Sequence, residues 1–327
     1  MGSVSIDLSL KYIWQCWFRA FKGKRPSAAV HRFQYHLEHE LYQLYSELNN
    51  KTYQHGGYQQ FIVADNKRRQ ISMASVRDRI VHRLLYEYLV DLYDTHFSYD
   101  VWSCRKGKGV VAALNRASFL LQSHPHSFIW RADVVKFFDT VDHAVLKQIL
   151  ARRVTDPTAT WLIHAVIDSF AVHTPTQHST QPNRTIGIPI GNLTSQIFSN
   201  IYLNELDRFV QQTIKPQRYM RYGDDFIVIA HQRAQVEQQR EHITSFVHKD
   251  LRLSINPKND IIVPARHGIR FLGVTITPHE KRLNKRNRQR AHQRLKRNNI
   301  PSYSSMMKQH GTTEDVNALH WKILDLL

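Results

Sequence analysis

The chain has 327 residues, 42% of them hydrophobic, with 45 Lys plus Arg against 27 Asp plus Glu for a formal net charge of +18. That much apolar material excludes a disordered chain, the length allows two or three subdomains, and the charge points to a polyanionic partner, nucleic acid ahead of an anionic membrane surface. No apolar run nears the ~18 residues of a membrane span, and no secretory leader or myristoylation pattern is read at the start. Cys16 and Cys104 have neither metal-ligand spacing nor a disulfide framework, which fits a reducing cytoplasm, and the 20 histidines form no zinc cluster.

In chain order, "LSLKYIWQCWFRAFK" (8–22) puts Leu10, Ile13, Trp14, Trp17, Phe18 and Phe21 at helical spacing, with Gly23 as the stop. Residues 27–50 read as one helix capped by Ser27, its stripe running through Val30, Phe33, Leu37, Leu41, Leu44 and Leu48. "QQFIVADNKRRQISM" reads as two strands around Asp65-Asn66, and helical spacing returns over 76–97. "CRKGKG" (104–109) is a Gly-interrupted basic turn before a helix, and "FIWRADVVKFFDTVDHAVLKQIL" (128–150) is a strand running into a helix. Residues 155–170 read as helix, the polar stretch 173–185 as loop, and 187–212 as a Gly-bounded turn leading into a long helix. A hairpin over 218–230, a helix over 234–250, two short strands and a basic tail complete an α+β pattern.

The hairpin "RYMRYGDDFIVIA" puts Asp224 and Asp225 at a turn between apolar strands. A single Asp there is ordinary turn chemistry. Two adjacent carboxylates repel, which raises a pKa unless a cation compensates, and a divalent metal supplies that charge. A hard cation wants further oxygen ligands. Asp133, at the end of the apolar strand "FIWRAD", is either a helix N-cap or the distant ligand that completes a two-Mg²⁺ site with ions ~3.5–4 Å apart, beside the Asp224 hairpin in one sheet. Asp139 and Asp142 compete for that role, although helical spacing points them elsewhere.

These blocks resemble a known family. Asp133 with Phe138 is similar to polymerase motif A, "GIPIGNLTSQ" to motif B, "YGDD" to motif C, "LSINPKND" to motif D and "IRFLG" to motif E, the primer grip. Upstream, the block running from "RRQIS" to "VRDRIVH" and the block "SCRKGKG" resemble the fingers motifs of bacterial reverse transcriptases, so that seven blocks stand in the family's order over residues 68–273. The chain resembles a group II-like reverse transcriptase, most closely the diversity-generating retroelement type.

The resemblance implies a right-hand polymerase: fingers over residues 1–125 with parts of 151–200, a palm with an antiparallel sheet over 126–150 and 201–275, and a short helical thumb over 276–327. It implies Asp133, Asp224 and Asp225 as catalytic metal ligands for two Mg²⁺ (Mn²⁺ can substitute), with Asp225 the weaker. Lys258 becomes a proton donor to the leaving pyrophosphate. Arg69, more than Lys67, would pair with the triphosphate, and Phe138 would be the steric gate against a 2′-OH. Gly191 would let backbone approach the nascent base pair, with Ser195 and Gln196 beneath the template. Group II relatives carry Gln-Gly-x-x-x-Ser-Pro in motif B. Ile190-Gly191-Asn192-Leu193-Thr194-Ser195-Gln196 departs from that, as the retroelement type does, and implies looser geometry checking.

Arg105 and Lys106 of the basic turn are candidate nucleic-acid contacts. So are Lys285, Arg286, Arg290 and Arg294 of "KRLNKRNRQRAHQRLKR" (281–297), which holds nine Lys/Arg and no acid and reads as a solvated face or as a first thumb helix tracking duplex phosphates. The implied activity is RNA-directed DNA synthesis in error-prone template-repeat copying. The implied partners are an RNA template and cDNA primer, a structured non-coding RNA and an accessory basic protein, without a membrane. Alternatives are an anti-phage defence reverse transcriptase, an RNA-dependent RNA polymerase (against which Phe138 argues) and a maturase-like RNA-binding scaffold.

Overall fold

A computed structural model describes residues 4–23, 25–64, 68–172 and 184–326. The chain divides into two compact units: Met1–Ser98, Val134–Phe209 and Thr244–Ile255 form the first; Tyr99–Asp133, Val210–Ile243 and Asn256–Leu327 form the second. Among the described residues no helix is long and apolar enough to cross a membrane.

Helix α1 (Leu10–Phe21) starts where Ser9 Oγ accepts the Tyr12 N–H at 3.3 Å. It buries Ile13, Cys16, Trp17 and Ala20, while Phe18, which periodicity assigns to the apolar stripe, points outward at 61% exposed. The helix expected over 27–50 is two, α2 (Ala28–Tyr35), capped by Ser27, and α3 (Leu37–Asn49). His36 (φ −111°, ψ 26°) interrupts them. It is neither Gly nor Pro, and the stripe Val30, Phe33, Leu41, Leu44, Leu48 stays in phase across it, so spacing alone reads straight through.

Strands β1 (Tyr58–Ala64) and β2 (Arg68–Ala74) pair antiparallel, Tyr58 opposite Ala74 through Ala64 opposite Arg68. Their turn, Lys67 included, lies outside the described residues. After α4 (Val76–Tyr93) the chain enters the second unit for α5 (Val110–Ser123) and β3 (Phe128–Ala132). It then supplies the first unit with α6 (Phe137–Thr140), α7 (His143–Ala151), α8 (Pro157–Asp168) and α9 (Leu193–Phe209). The expected loop over 173–185 falls almost wholly outside the described residues. Strands β4 (Arg218–Tyr222) and β5 (Asp225–Ala230) precede α10 (Arg233–Lys249), whose two halves belong to different units. Where two short strands are expected before the tail, the described residues form three, β6 (Ile261–Pro264), β7 (Ile269–Phe271) and β8 (Val274–Ile276), and a fourth, β9 (Lys281–Leu283), lies within the tail. The basic run therefore opens as a strand, and helix begins only at α11 (Lys285–Gln293), followed by α12 (Ile300–His310) and α13 (Thr313–Leu324). Three-residue strands are too short to show an alternating pattern.

In the second unit β4, β5, β3 and β6 form one sheet in that order, every pair antiparallel. Ile129, Met220, Ile227 and Ile229 bury against Ala113, Leu114, Ala117, Leu120 and Leu121 of α5, in a core that continues into Phe271, Val274 and Ile276 of the β7–β8–β9 sheet. On β3 the fully buried Trp130 packs edge-on against Phe226 (5.2 Å) and donates Nε1–H to Asp260 at 2.7 Å. At the β7–β8 turn Leu272 (φ 49°) and Gly273 (φ 85°) are left-handed. A Cβ on Gly273 would stand 2.4 Å from Asn287 Nδ2, which donates to the Gly273 carbonyl, so α11 is locked onto this turn.

In the first unit α1 and α9 pack on α4, and α7 on α9. α9 buries residues on every side, Thr194, Ile197, Phe198, Ile201 and Tyr202 among them. A polar network sits inside. Asp78, at the capped start of α4, accepts from Ser75 Oγ and Tyr53 OH (2.7 Å each) and from the Gly56 N–H at 3.2 Å. Burial opposes its charge, but these bonds and nearby His55 hold its carboxyl below the usual range. One turn on, His82 bonds Thr194 Oγ1 at 2.5 Å and His55 Nε2 at 3.1 Å. Burial, with His55 adding to it and Asp78 opposing, pushes the His82 imidazole down to about 3. Below the ordinary histidine pKa near 6.5 the unfolded chain therefore takes up a proton that folded His82 refuses until about pH 3. Stability should fall as pH drops from 6.5 toward 4, and His82→Gln should flatten that fall, read as the urea midpoint at pH 7.5, 6 and 5.

Candidate active site

The register of the central sheet builds the site. β3 and β5 end their pairing at Ala132 opposite Phe226, so the next residues outward are Asp133 and Asp225. Tyr222 opposes Asp225, leaving Gly223–Asp224 as a two-residue turn, with Gly223 at φ 62° where a side chain would be strained. The turn is pinned from the residues that precede the basic turn. Ser103 Oγ accepts the Gly223 N–H at 2.9 Å, and Asp100 and Trp102 bond the Arg221 backbone at 2.9 Å each. Arg221, wholly buried, donates Nη1 to the Gly223 carbonyl at 2.8 Å. Sequence reading missed Arg221 and Ser103. The signal for Arg221 is a charged residue between Met220 and Tyr222 in the interior of β4, whose other arginine, Arg218, stands at its exposed end.

Asp225 and Asp133 are treated differently. Arg131 grips Asp225 through Nε–Oδ1 at 3.0 Å and Nη2–Oδ2 at 2.7 Å. The residue expected as a metal ligand therefore has both oxygens engaged by a guanidinium. Burial nevertheless pushes its carboxyl up to about 6, with the charges of Asp133 and Asp224 adding to the rise and Arg131 opposing it. Three carboxyl groups thus interact here. Asp133 is not a helix cap: Val134 bridges to Ile255, and Lys136 (φ 41°) precedes α6. Its Oδ2 accepts Asn259 Nδ2–H at 2.6 Å, its carbonyl accepts the Asn256 N–H at 2.9 Å, and its buried Oδ1 has no hydrogen-bond partner.

A buried carboxylate oxygen without a donor is costly unless a cation meets it. Together with the mutual repulsion, the donor set of Asp133 and Asp224 fits a divalent cation. Among the described residues no three His, Cys, Asp or Glu side chains form a complete metal cage. Lys258 is exposed on the Asn256–Asn259 loop, its N–H bonded to Asn256 Oδ1 at 3.1 Å. Asp142, the competing ligand, caps α7 and is paired with Arg184 (2.8 Å) and Arg252 (3.1 Å).

Of the two rings in "KFFD", Phe137 is core, 2% exposed, and Phe138 is half-buried. Arg69 is exposed on β2 and Gln196 exposed on the first turn of α9, while Ser195 is buried and donates to the Pro189 carbonyl at 2.7 Å. Arg105 is half-buried and Lys106 exposed; on or next to α11, Lys285, Arg286 and Arg294 are exposed and Arg290 half-buried. The motif B turn is stitched to β2: Ile190 O accepts the Ser72 N–H at 2.9 Å, Asn192 Nδ2 donates to Ser72 O at 2.7 Å, and Asn192 Oδ1 accepts the Ala74 N–H at 3.1 Å. The Asn192 side chain so replaces a strand peptide, a role the sequence reading did not assign. Gly191 (φ 110°) fits because a Cβ there would stand 2.7 Å from Ile71 Cγ2. Asn192→Ala should cost about 1–3 kcal/mol by leaving buried Ser72 and Ala74 groups unpaired, and Gly191→Ala a similar amount through strain; urea denaturation measures both.

Comparisons with known proteins agree on the fold and family. The chain is 24% identical over 245 residues to protein YkfC of Escherichia coli (strain K12), covering 64% of this chain and 63% of that one. It is 19% identical over 304 residues to the group II intron-encoded protein LtrA of Lactococcus lactis subsp. cremoris, covering 73% of this chain and 50% of LtrA. The chain thus spans less than two thirds of the length of these relatives. Among solved structures, apo telomerase from Candida tropicalis matches at a TM-score of 0.51 with 12% identity, over 69% of this chain and 55% of that one, a likeness of fold in the right-hand polymerase class. Residues 56–276, more than half of the chain, match the family described as reverse transcriptase (RNA-dependent DNA polymerase), and the chain belongs to that family.

Proposed function

We propose that this protein is an RNA-directed DNA polymerase that extends a primer along an RNA template. The observation that carries the reading is the register of β3 on β5, which sets Asp133 beside the Asp224-Asp225 turn with a buried carboxylate oxygen lacking a hydrogen-bond donor. When bound, two Mg²⁺ ions, for which Mn²⁺ can stand in, supply charge stabilisation at the attacking and leaving oxygens. Asp133 and Asp224 would hold them, and Asp225, its charge offset by Arg131, would be the weaker ligand. Lys258 gives a proton to the departing pyrophosphate. Arg69, with Lys67, pairs with the triphosphate, Phe138 sits under the sugar and rejects a 2′-OH, and Gly191 and Gln196 bear on the nascent pair and template.

In this reading, fingers comprise residues 1–125 with parts of 151–200, the palm 126–150 and 201–275, and the thumb 276–327. Arg105, Lys106 and the basic face of α11 contact nucleic-acid phosphates. The motif B residues Ile190-Gly191-Asn192 favour error-prone template-repeat copying as the biological role, with a structured RNA and an accessory basic protein as partners, over anti-phage defence.

Primer extension on an RNA template with dNTPs and Mg²⁺ tests the activity. Asp133→Ala and Asp224→Ala should each lower it by about 10³-fold, and Phe138→Ala should gain use of rNTPs. Absence of dNTP incorporation by the intact chain would overturn the reading. Reversing Lys285, Arg286 and Arg294 to Glu should weaken template–primer binding and lower its salt slope by roughly 0.9 per lost phosphate contact. Unchanged affinity removes α11 from the duplex path.

A further inference from the structure

We infer that Asn259 is a positioning residue that fixes the Asp133 carboxylate, occupying one oxygen with a neutral donor so that the other is presented to a divalent cation. The inference rests on the proposed metal-dependent site and adds a residue to it.

Two carboxylates stand at the same level on neighbouring strands and are held differently. Asp225 meets a guanidinium, which takes both of its oxygens and offsets its charge. Asp133 meets an amide, which takes Oδ2 alone at 2.6 Å and leaves the charge intact, with Oδ1 buried and without a hydrogen-bond donor. A cationic partner at position 259 would compete with a bound metal, and an acidic one would repel Asp133. Among common donors of this length, a neutral amide orients the group without neutralising it.

The donor is itself held. Asn256 N–H bonds the Asp133 carbonyl at 2.9 Å, Lys258 N–H bonds Asn256 Oδ1 at 3.1 Å, and Asn259 N–H bonds the Asn256 carbonyl at 3.0 Å. One four-residue loop therefore grips both the backbone and the side chain of Asp133. The strand supplies the position of its Cα, and the loop supplies the orientation of its carboxylate. Outer partners of this kind, when removed, cost 10–100-fold in metal affinity in other sites.

Mn²⁺ binding, followed by electron paramagnetic resonance on the intact protein with a chain-terminated primer on an RNA template and dNTP, tests this. Asn259→Leu keeps the volume but has no donor, and should lower Mn²⁺ affinity about tenfold, with the same shift in the Mg²⁺ concentration for half-maximal extension. Pro257→Ala, on the same loop without a bond to Asp133, should stay within about twofold of the parent. A folded Asn259→Leu protein with parental Mn²⁺ affinity overturns the inference, as does an equal loss in Pro257→Ala, which would make the effect one of loop integrity. If Asp133→Ala leaves Mn²⁺ binding unchanged, the metal site and the inference fall together. If Mn²⁺ binding depends on Asp133 and Asn259 while no primer is extended, the polymerase reading fails and the role of Asn259 stands.

Discussion

Crowding of negative charge at the end of an apolar sheet is the constraint on which the second unit depends. Asp133, Asp224 and Asp225 are delivered by β3 and the β4–β5 turn, whose strands bury Trp130, Phe226, Ile227 and Val228 behind them. Water is excluded on the strand side, and that burial, with the charges of Asp133 and Asp224 adding to it, pushes the Asp225 carboxyl up to about 6 in spite of its arginine. The fold answers with a guanidinium on one group, an amide on another and a turn pinned by Ser103 and Arg221. Each reduces freedom of movement, and only Arg131 reduces charge at the Asp225 carboxyl. What remains is a fixed negative field suited to a small hard cation.

The first unit meets a different requirement, holding an irregular turn still. Residues 187–192 cannot be helix or strand, because Gly187 and Gly191 are left-handed. Gly187, Ile188, Pro189 and Asn192 are nevertheless buried, and their polar groups must be matched. Asn192 supplies the match by imitating a peptide against β2, and Ser195 closes the turn onto Pro189. Beneath, the neutral His82–Thr194 bond ties the start of α9 to α4. A histidine held far below its ordinary pKa shows how strongly this interior rejects charge. Flexibility in the motif B turn is limited by these contacts rather than by the length of the segment.

Much of the fold was legible locally. Ser27 and Gly23 bound helices as their chemistry dictates, and the Gly223-Asp224 turn follows from dipeptide preference between two apolar runs. The misreadings share one cause, a pattern too short or too regular to carry the decisive information. The break at His36 lies inside an unbroken apolar stripe, and β7 to β9 have three residues each. Phe18 looks like a core residue by spacing and is exposed because the helix presents a neighbouring face, Ile13, Cys16 and Trp17, to its partners.

The order of the sequence blocks by itself determined the family, since glycines, paired aspartates and flanking apolar runs are local requirements written at fixed spacing. It also singled out Asp133 and Asp224 as residues to compare. Only the tertiary structure decided how alike the carboxylates are. Arg131 lies two residues before Asp133 and Asn259 lies 126 residues after it, and neither spacing shows that one would cancel the charge of Asp225 and the other orient Asp133. Hydrogen bonding and charge act through distances of about 3 Å, and such distances between remote parts of a chain are set by strand register and loop closure, not by sequence separation.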